Sequence, residues 1–176
     1  GLFASVSDHG SVIVALPSIA DHFGTDLPTS QWVVIGYALT ISALLMPMGR
    51  LSDIVGRKQV YVAGFAIFVI GGVVAGLSTS IQMLILAKAF QGIGAAMTQG
   101  TSMAMIIDAF RDEERGRALG LQMSIVGTGG VAGPAIGGLL VGAFGWRSVF
   151  FANVGLGLAA IVAALIILDG RRIARD

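Results

Sequence analysis

Long apolar runs separated by short charged or glycine-rich breaks divide the chain into six segments, at about residues 2–20, 30–48, 59–77, 81–107, 118–143 and 148–168. Residues 30–48 and 59–77 hold no charged side chain at all. At about 1.5 Å of rise per helical residue, each such run is long enough to cross a hydrocarbon core about 30 Å thick. The runs are continuous and lack the apolar–polar alternation of barrel strands. Only helices and closed barrels satisfy their backbone inside lipid, so the pattern predicts an all-α membrane protein with six transmembrane helices. The whole chain, 1–176, reads as one bundle with no second, soluble domain.

Composition agrees with the pattern. Hydrophobic residues make up 55% of the chain and charged residues 12%, with a mean hydropathy of +0.87. A soluble domain carries about 25% charged residues, roughly twice as many. The net charge of +1 predicts no nucleic-acid partner, and the absence of cysteine excludes disulfides, thiolate metal sites and cysteine nucleophiles. The 26 glycines suit close helix packing in lipid rather than helix stability in water. No cleavable signal peptide is visible, and the absence of an initial methionine suggests a trimmed N-terminus.

The basic residues set an orientation. Arg50, Arg57 and Lys58 follow the second run, Arg111, Arg115 and Arg117 the fourth, and Arg171, Arg172 and Arg175 the sixth. The other side holds Arg147 alone, so both termini are expected in the cytoplasm of a cell (inner) membrane protein. A weak repeat points the same way. Gly49-x-Leu51-x4-Gly56-Arg57 recurs as Gly138-x-Leu140-x4-Gly145-Trp146-Arg147. Three spans per copy inverts the second relative to the first, which predicts two inverted three-helix repeats, about 1–77 and 81–169.

The break at 49–58, Gly-Arg-Leu-Ser-Asp-Ile-Val-Gly-Arg-Lys, reads as a short charged turn at a membrane surface. In it Gly49 and Gly56 permit tight turning and close helix approach, while Asp53, Arg57 and Lys58 form a cluster too costly to place in lipid. Its pattern G-x-L-x-D-x-x-G-R-K resembles the signature loop between the second and third helices of the major facilitator superfamily of secondary transporters. The resemblance implies that Arg57 pairs with Asp108, that Asp53 faces a helix start in the opposite half, and that these contacts hold the cytoplasmic side shut. The stretch 108–117 otherwise reads as a solvated charged loop.

The first run carries Asp8 and His9 near its start, followed by Ser11-Val12-Ile13-Val14-Ala15-Leu16-Pro17. An intramembrane aspartate needs water, a partner or a proton. Burial favours its neutral form and a nearby cation its charged form, so Asp8 switches near working pH only if the two balance. The same residue also fits a helix N-cap at the surface. The run resembles the first-helix motif of the 14-span drug:proton antiporter family, though an apolar residue replaces the family's asparagine. That resemblance implies a role for Asp8 in proton and cation handling. His9, one residue on, faces another side and fits a surface or interhelical hydrogen bond.

The fourth run contains Lys88-x-x-Gln91-Gly92-x-Gly94-Ala-Ala, which resembles the superfamily's fourth-helix motif with lysine in place of arginine. Lysine is a compact point charge rather than a planar fork. Lys88 lies too deep to snorkel easily, so it either pairs inward, with Asp8 or a carbonyl, or stretches to the surface. Gln91 shares its face, and Thr98 with Gln99 extends a polar strip along the helix. In the fifth run, Gly129-x3-Gly133-Pro134-x2-Gly137-Gly138 resembles the superfamily's antiporter motif, implying a bent, smooth helix that rolls against a neighbour. A generic small-residue packing face explains the glycines but not the proline.

Together these features predict half of a secondary active transporter, exporting lipophilic or cationic drugs against protons and working as a homodimer or with a C-terminal half. Its midplane cavity is expected between the first, second, fourth and fifth runs, with Trp32, Tyr37 and Phe90 as faces for substrate. No cofactor or metal is implied. The expected partners are membrane lipid, protons, a small-molecule substrate and a second six-helix half. A symporter or facilitator for a small metabolite is the alternative in the same class, and a non-transporting assembly subunit the alternative outside it. No Gly-x-Ser-x-Gly occurs and His9 and His22 lie near opposite ends of the first run, so enzyme chemistry is not expected.

Overall fold

A computed structural model describes residues 2–173, with side chains over 5–167. Six helices follow one another: α1 Leu2–Phe23, α2 Leu27–Val55, α3 Arg57–Gly76, α4 Ile81–Ala109, α5 Asp112–Phe144 and α6 Arg147–Ile173. Five of them, α2 to α6, are long and apolar enough to cross a membrane. In α1 the described stretch is diluted by Ser5, Ser7, Asp8, His9 and Ser11 and falls short of that hydropathy. The Arg171 and Arg172 side chains, and the whole of Arg175, lie outside the described residues.

The breaks between helices are shorter than the apolar pattern predicts. The charged stretch 49–58 is helical except at Gly56, whose φ of 121° lies where an L side chain is strained. One glycine therefore turns the chain between α2 and α3, and the expected ten-residue turn is corrected to a single residue. The expected loop at 108–117 likewise shrinks to Phe110 and Arg111, both extended. A helix satisfies its own backbone, so it runs on past the apolar stretch until a residue forbids it. Asp112, Glu113 and Glu114 then fill the first turn of α5, where the helix dipole favours negative charge. Ser80 caps α4 by accepting from the Met83 amide at 3.2 Å.

Helix α1 lies along α5, α2 lies along α4, and α3 packs between α4 and α6. Helix α4 is the most buried of the five spanning helices and α2 the least. Where the helices meet, small residues bring the backbones together. A Cβ on Gly94 would overlap the Gly64 carbonyl of α3, and one on Gly133 would sit 2.7 Å from the Ser7 carbonyl oxygen of α1. In lipid, where tails compete with side chains for apolar contact, such approach is what holds helices together. One core cluster, including Val12, Ile19, Val33, Leu84, Val149 and Phe150, closes one end of the bundle. Tyr37, Phe68 and Ala95 form a smaller one.

Candidate functional site

Asp8 lies well inside α1 and is wholly buried, so it is not a cap. Its Oδ2 accepts a hydrogen bond from Lys88 Nζ of α4 at 2.5 Å, and the pair is closed to solvent at 0% and 1% side-chain exposure. The three-residue spacing on α4 puts Gln91 on the same face as Lys88. There Lys88 Nζ also donates to Gln91 Oε1 at 2.7 Å, and Gln91 Nε2 donates to the Phe68 carbonyl of α3 at 3.2 Å. The Tyr37 ring of α2 stands 4.2 Å from the ammonium and the Phe150 ring of α6 5.8 Å from it. Lys88 thus turns inward rather than reaching the surface.

Sequence reasoning missed one member. Asn153 of α6, itself buried, donates from Nδ2 to Asp8 Oδ1 at 2.9 Å. A signal was available, since this is the chain's one asparagine and it interrupts an otherwise apolar run. With it the polar network joins α6, α1, α4 and α3. Desolvating each ion costs several kcal/mol, and breaking such a pair typically costs about 3–5 kcal/mol, so a buried ion pair is weak evidence for stability and better evidence for function.

Next to the pair lies a cavity of about 240 Å³ between α1, α2 and α4. Ser5, His9, Tyr37, Ser42 and Gln99 supply its polar lining, and no carboxylate faces it among the described residues. His9 stacks on Tyr37, with centroids 6.0 Å apart and planes at 25°. The interhelical contact that the structure gives His9 is thus a ring contact with α2. The expected aromatic faces divide. Trp32 and Phe90 are 51% and 42% exposed and stand away from the cavity, because Trp32 precedes the buried Val33 and Phe90 is about 200° round α4 from Lys88. Tyr37 does line it, but its ring is already engaged by Lys88. The polar strip divides too. Thr98 donates to the Ala95 carbonyl at 2.9 Å and meets α3 at Gly64, whereas Gln99, about 100° round, lines the cavity. Helix α5 contributes nothing to its lining.

The antiporter-like motif of α5 meets α1 beside Asp8. Gly133 faces the Ser7 backbone, Gly137 faces Ser11, and the Pro134 ring covers Gly10. The Ser11 hydroxyl is shared between the Ser7 carbonyl at 2.7 Å and the Gly133 carbonyl at 2.9 Å. Gly129 is buried on the same face, while a Cβ on Gly138 would meet only Val14 at 3.8 Å.

A second charged cluster sits where α2 turns into α3. Arg57 Nη2 bonds Asp53 Oδ1 at 3.0 Å and also Asp108 Oδ2 at the end of α4. Asp53 thus pairs with Arg57 within this chain. Gly49 faces Gly100 of α4, and Lys58 follows Arg57 at the start of α3. Asp8, Lys88 and Gln91 are therefore brought together, as are Asp53, Arg57 and Asp108, but the two groups are separate.

A sequence profile of the Major Facilitator Superfamily matches residues 1–175. Among curated relatives, a riboflavin transporter, RibZ, of Clostridioides difficile is 36% identical over 161 residues, covering 92% of this chain and 35% of the relative. The multidrug resistance protein Stp of Mycobacterium tuberculosis is 38% identical over 166 residues, 94% of this chain and 31% of the relative. The tetracenomycin C resistance and export protein of Streptomyces glaucescens is 35% identical over 175 residues, 99% of this chain and 32% of the relative. The chain spans about a third of the length of these relatives.

Proposed function

Because this chain belongs to the Major Facilitator Superfamily and is a multi-pass membrane protein, we propose that it forms the N-terminal half of a proton-coupled exporter of lipophilic compounds. A second six-helix half, either a C-terminal half or another copy of the chain, completes the central cavity. The observation that carries this reading is the buried Asp8–Lys88 pair, costly to hold in lipid and placed directly behind the cavity wall. Asp8 is the proton-switchable acid, Lys88 and Gln91 its polar surroundings, and Asp53, Arg57 and Asp108 the cytoplasmic gate. Proton uptake by Asp8 frees Lys88, and the resulting charge changes which arrangement of helices is stable.

The helix pairing supports inverted repeats. Exchanging α1–α3 with α4–α6 carries the α1 and α5 pair onto the α4 and α2 pair, and α3 with α6 onto itself. Gly56 and Gly145, equated by the sequence repeat, both have positive φ at the second helix break of each copy. Basic residues at the α2/α3 and α4/α5 breaks support cytoplasmic termini in the cell membrane. Cavity chemistry favours uncharged cargo over cations. Among the described residues the lining donates and accepts hydrogen bonds and carries no carboxylate, and the Tyr37 face already holds a cation.

The test is efflux from proteoliposomes of the completed transporter, using neutral Nile red and cationic ethidium under an imposed pH gradient. Proton-driven Nile red efflux that Asp8→Asn abolishes is the expected result. Efflux that survives Asp8→Asn unchanged refutes the role of the acid, and faster ethidium than Nile red efflux refutes the cargo preference. The riboflavin transporter among the relatives keeps metabolite transport as the second reading. Accumulation rather than expulsion of riboflavin down the same gradient identifies that case.

A further inference from the structure

The two oxygens of Asp8 are held in different ways. Oδ2 accepts from Lys88 Nζ at 2.5 Å, and Oδ1 accepts from Asn153 Nδ2 at 2.9 Å. Lys88 stands on a long flexible stem and already touches a second acceptor, Gln91 Oε1, to which it can turn. Asn153 is on a short stem, 3% exposed, and fixed by the packing of α6 against α1 and α3. An amide nitrogen donates but accepts nothing, so a proton placed on the Oδ1 lone pair that Nδ2 fills would point at the N–H hydrogens, and this donor, unlike Lys88, has no second acceptor to turn to. The opposite amide orientation would set its oxygen against the carboxylate, acceptor facing acceptor, and the assignment follows from that network.

We propose that Asn153 is a positioning residue that closes Oδ1 to the coupling proton, so that uptake occurs only at Oδ2 and must displace Lys88. This rests on the reading of Asp8 as the switchable acid. In the step, an incoming proton carried by water forms the O–H bond at Oδ2. Lys88 keeps its own three protons and turns to Gln91, and the pair passes from net zero to one positive charge. Without Asn153 the proton binds at Oδ1 while Lys88 stays on Oδ2. The proton then enters without breaking the pair, and coupling slips. Among the described residues the other titratable groups that act on Asp8 are Lys88 from α4, which touches it, and Tyr37 from α2 and His9 on its own helix, which interact with it electrostatically. The stretches 118–143 of α5 and 148–167 of α6 contain no titratable side chain, so Asn153 is what α6 brings to the acid.

The test uses the completed transporter in lipid nanodiscs. The Asp8 carboxyl band is followed by infrared difference spectroscopy and the Lys88 nitrogen by magnetic resonance, both across a pH titration. In the wild type the carboxyl and the ammonium change together in one step. Asn153→Leu, of similar volume with no donor, moves carboxyl protonation toward higher pH by roughly tenfold in proton affinity, as expected for losing a hydrogen bond to a charged group. It also separates the carboxyl change from the ammonium change. Asn153→Ser, whose hydroxyl accepts as well as donates, reproduces the separation with less risk to folding, and Asn153→Gln retains the single step. A merely structural role lowers the melting temperature of these variants and leaves the titrations joined. That outcome, in a folded Leu or Ser variant, overturns the proposal. Unchanged proton-driven efflux in Asp8→Asn overturns the transport reading alone, because both spectroscopic readouts report on Asp8 itself whatever it drives.

Discussion

The molecule carries two small charged clusters built to opposite specifications. In one, Asp8 and Lys88 are sealed at 0% and 1% exposure and every polar contact is a neighbour on another helix or the adjoining turn. In the other, Arg57 is 30% exposed and its partners Asp53 and Asp108 more than half exposed. The same charges therefore mean different things. Exposed pairs contribute about 0–1 kcal/mol and exchange partners with water freely. A buried pair cannot lose a member cheaply, because the survivor is left charged in a medium that cannot solvate it. The proposed function assigns the exposed cluster to a gate opened many times and the buried one to a switch thrown only when a proton arrives. The residue types follow. Arg57 bridges two carboxylates with a planar fork, whereas Lys88 presents a point charge that can be redirected.

The largest break in this comparison is Lys88→Met. It strands the Asp8 carboxylate and should cost about 3–5 kcal/mol of stability at neutral pH. The variant then folds best with Asp8 protonated. Its native state binds a proton that the unfolded chain releases, so its stability falls as pH rises. Thermal unfolding in detergent across pH measures this, and adding Asp8→Asn should recover most of the loss. If Lys88→Met unfolds at the wild-type temperature at every pH, the pair is not buried as described.

A smaller effect tests the packing of α5 on α1 beside the buried pair. Gly133→Ala drives a methyl into the Ser7 backbone at 2.7 Å and should cost roughly 1–3 kcal/mol, as overpacking does. Gly130→Ala on the same helix meets nothing within 4 Å and should stay within about 0.5 kcal/mol of the wild type. Equal melting temperatures for the two would show that α5 does not press on α1 there. Arg57→Ala should change stability by less than about 1 kcal/mol, an effect that high salt reproduces in the wild type. Its consequence should appear instead as greater labelling of cysteines placed at the α2/α3 and α4/α5 breaks. Phe90→Ala marks the floor, with no change in Nile red efflux beyond error, since its ring stands away from the cavity.

Much of the architecture was readable residue by residue, because hydropathy and glycine act locally. The apolar runs located the helices to within several residues, and Gly56 marked the α2/α3 break. The charged surroundings of that glycine misled. Polarity at 49–58 looked like a turn, yet a helix emerging from lipid has no reason to stop at its first charge. Within the site, Lys88 and Gln91 were legible as a pair because helical spacing places them on one face. Trp32 and Phe90 were chosen for chemistry alone, without knowledge of which way their helices turn.

What the chain alone determined is the set of objects that lipid permits: helices long enough to cross, glycines at their ends, and a few charges too expensive to be accidental. Which charge meets which was settled only in three dimensions. Asp8 finds Lys88 80 positions away and Asn153 145 positions away, and the rotation of three helices about their axes decides both contacts. Propensity and hydropathy operate over a turn or two of backbone. A hydrogen bond of 2.9 Å depends on the packing of every small residue between the helices it joins.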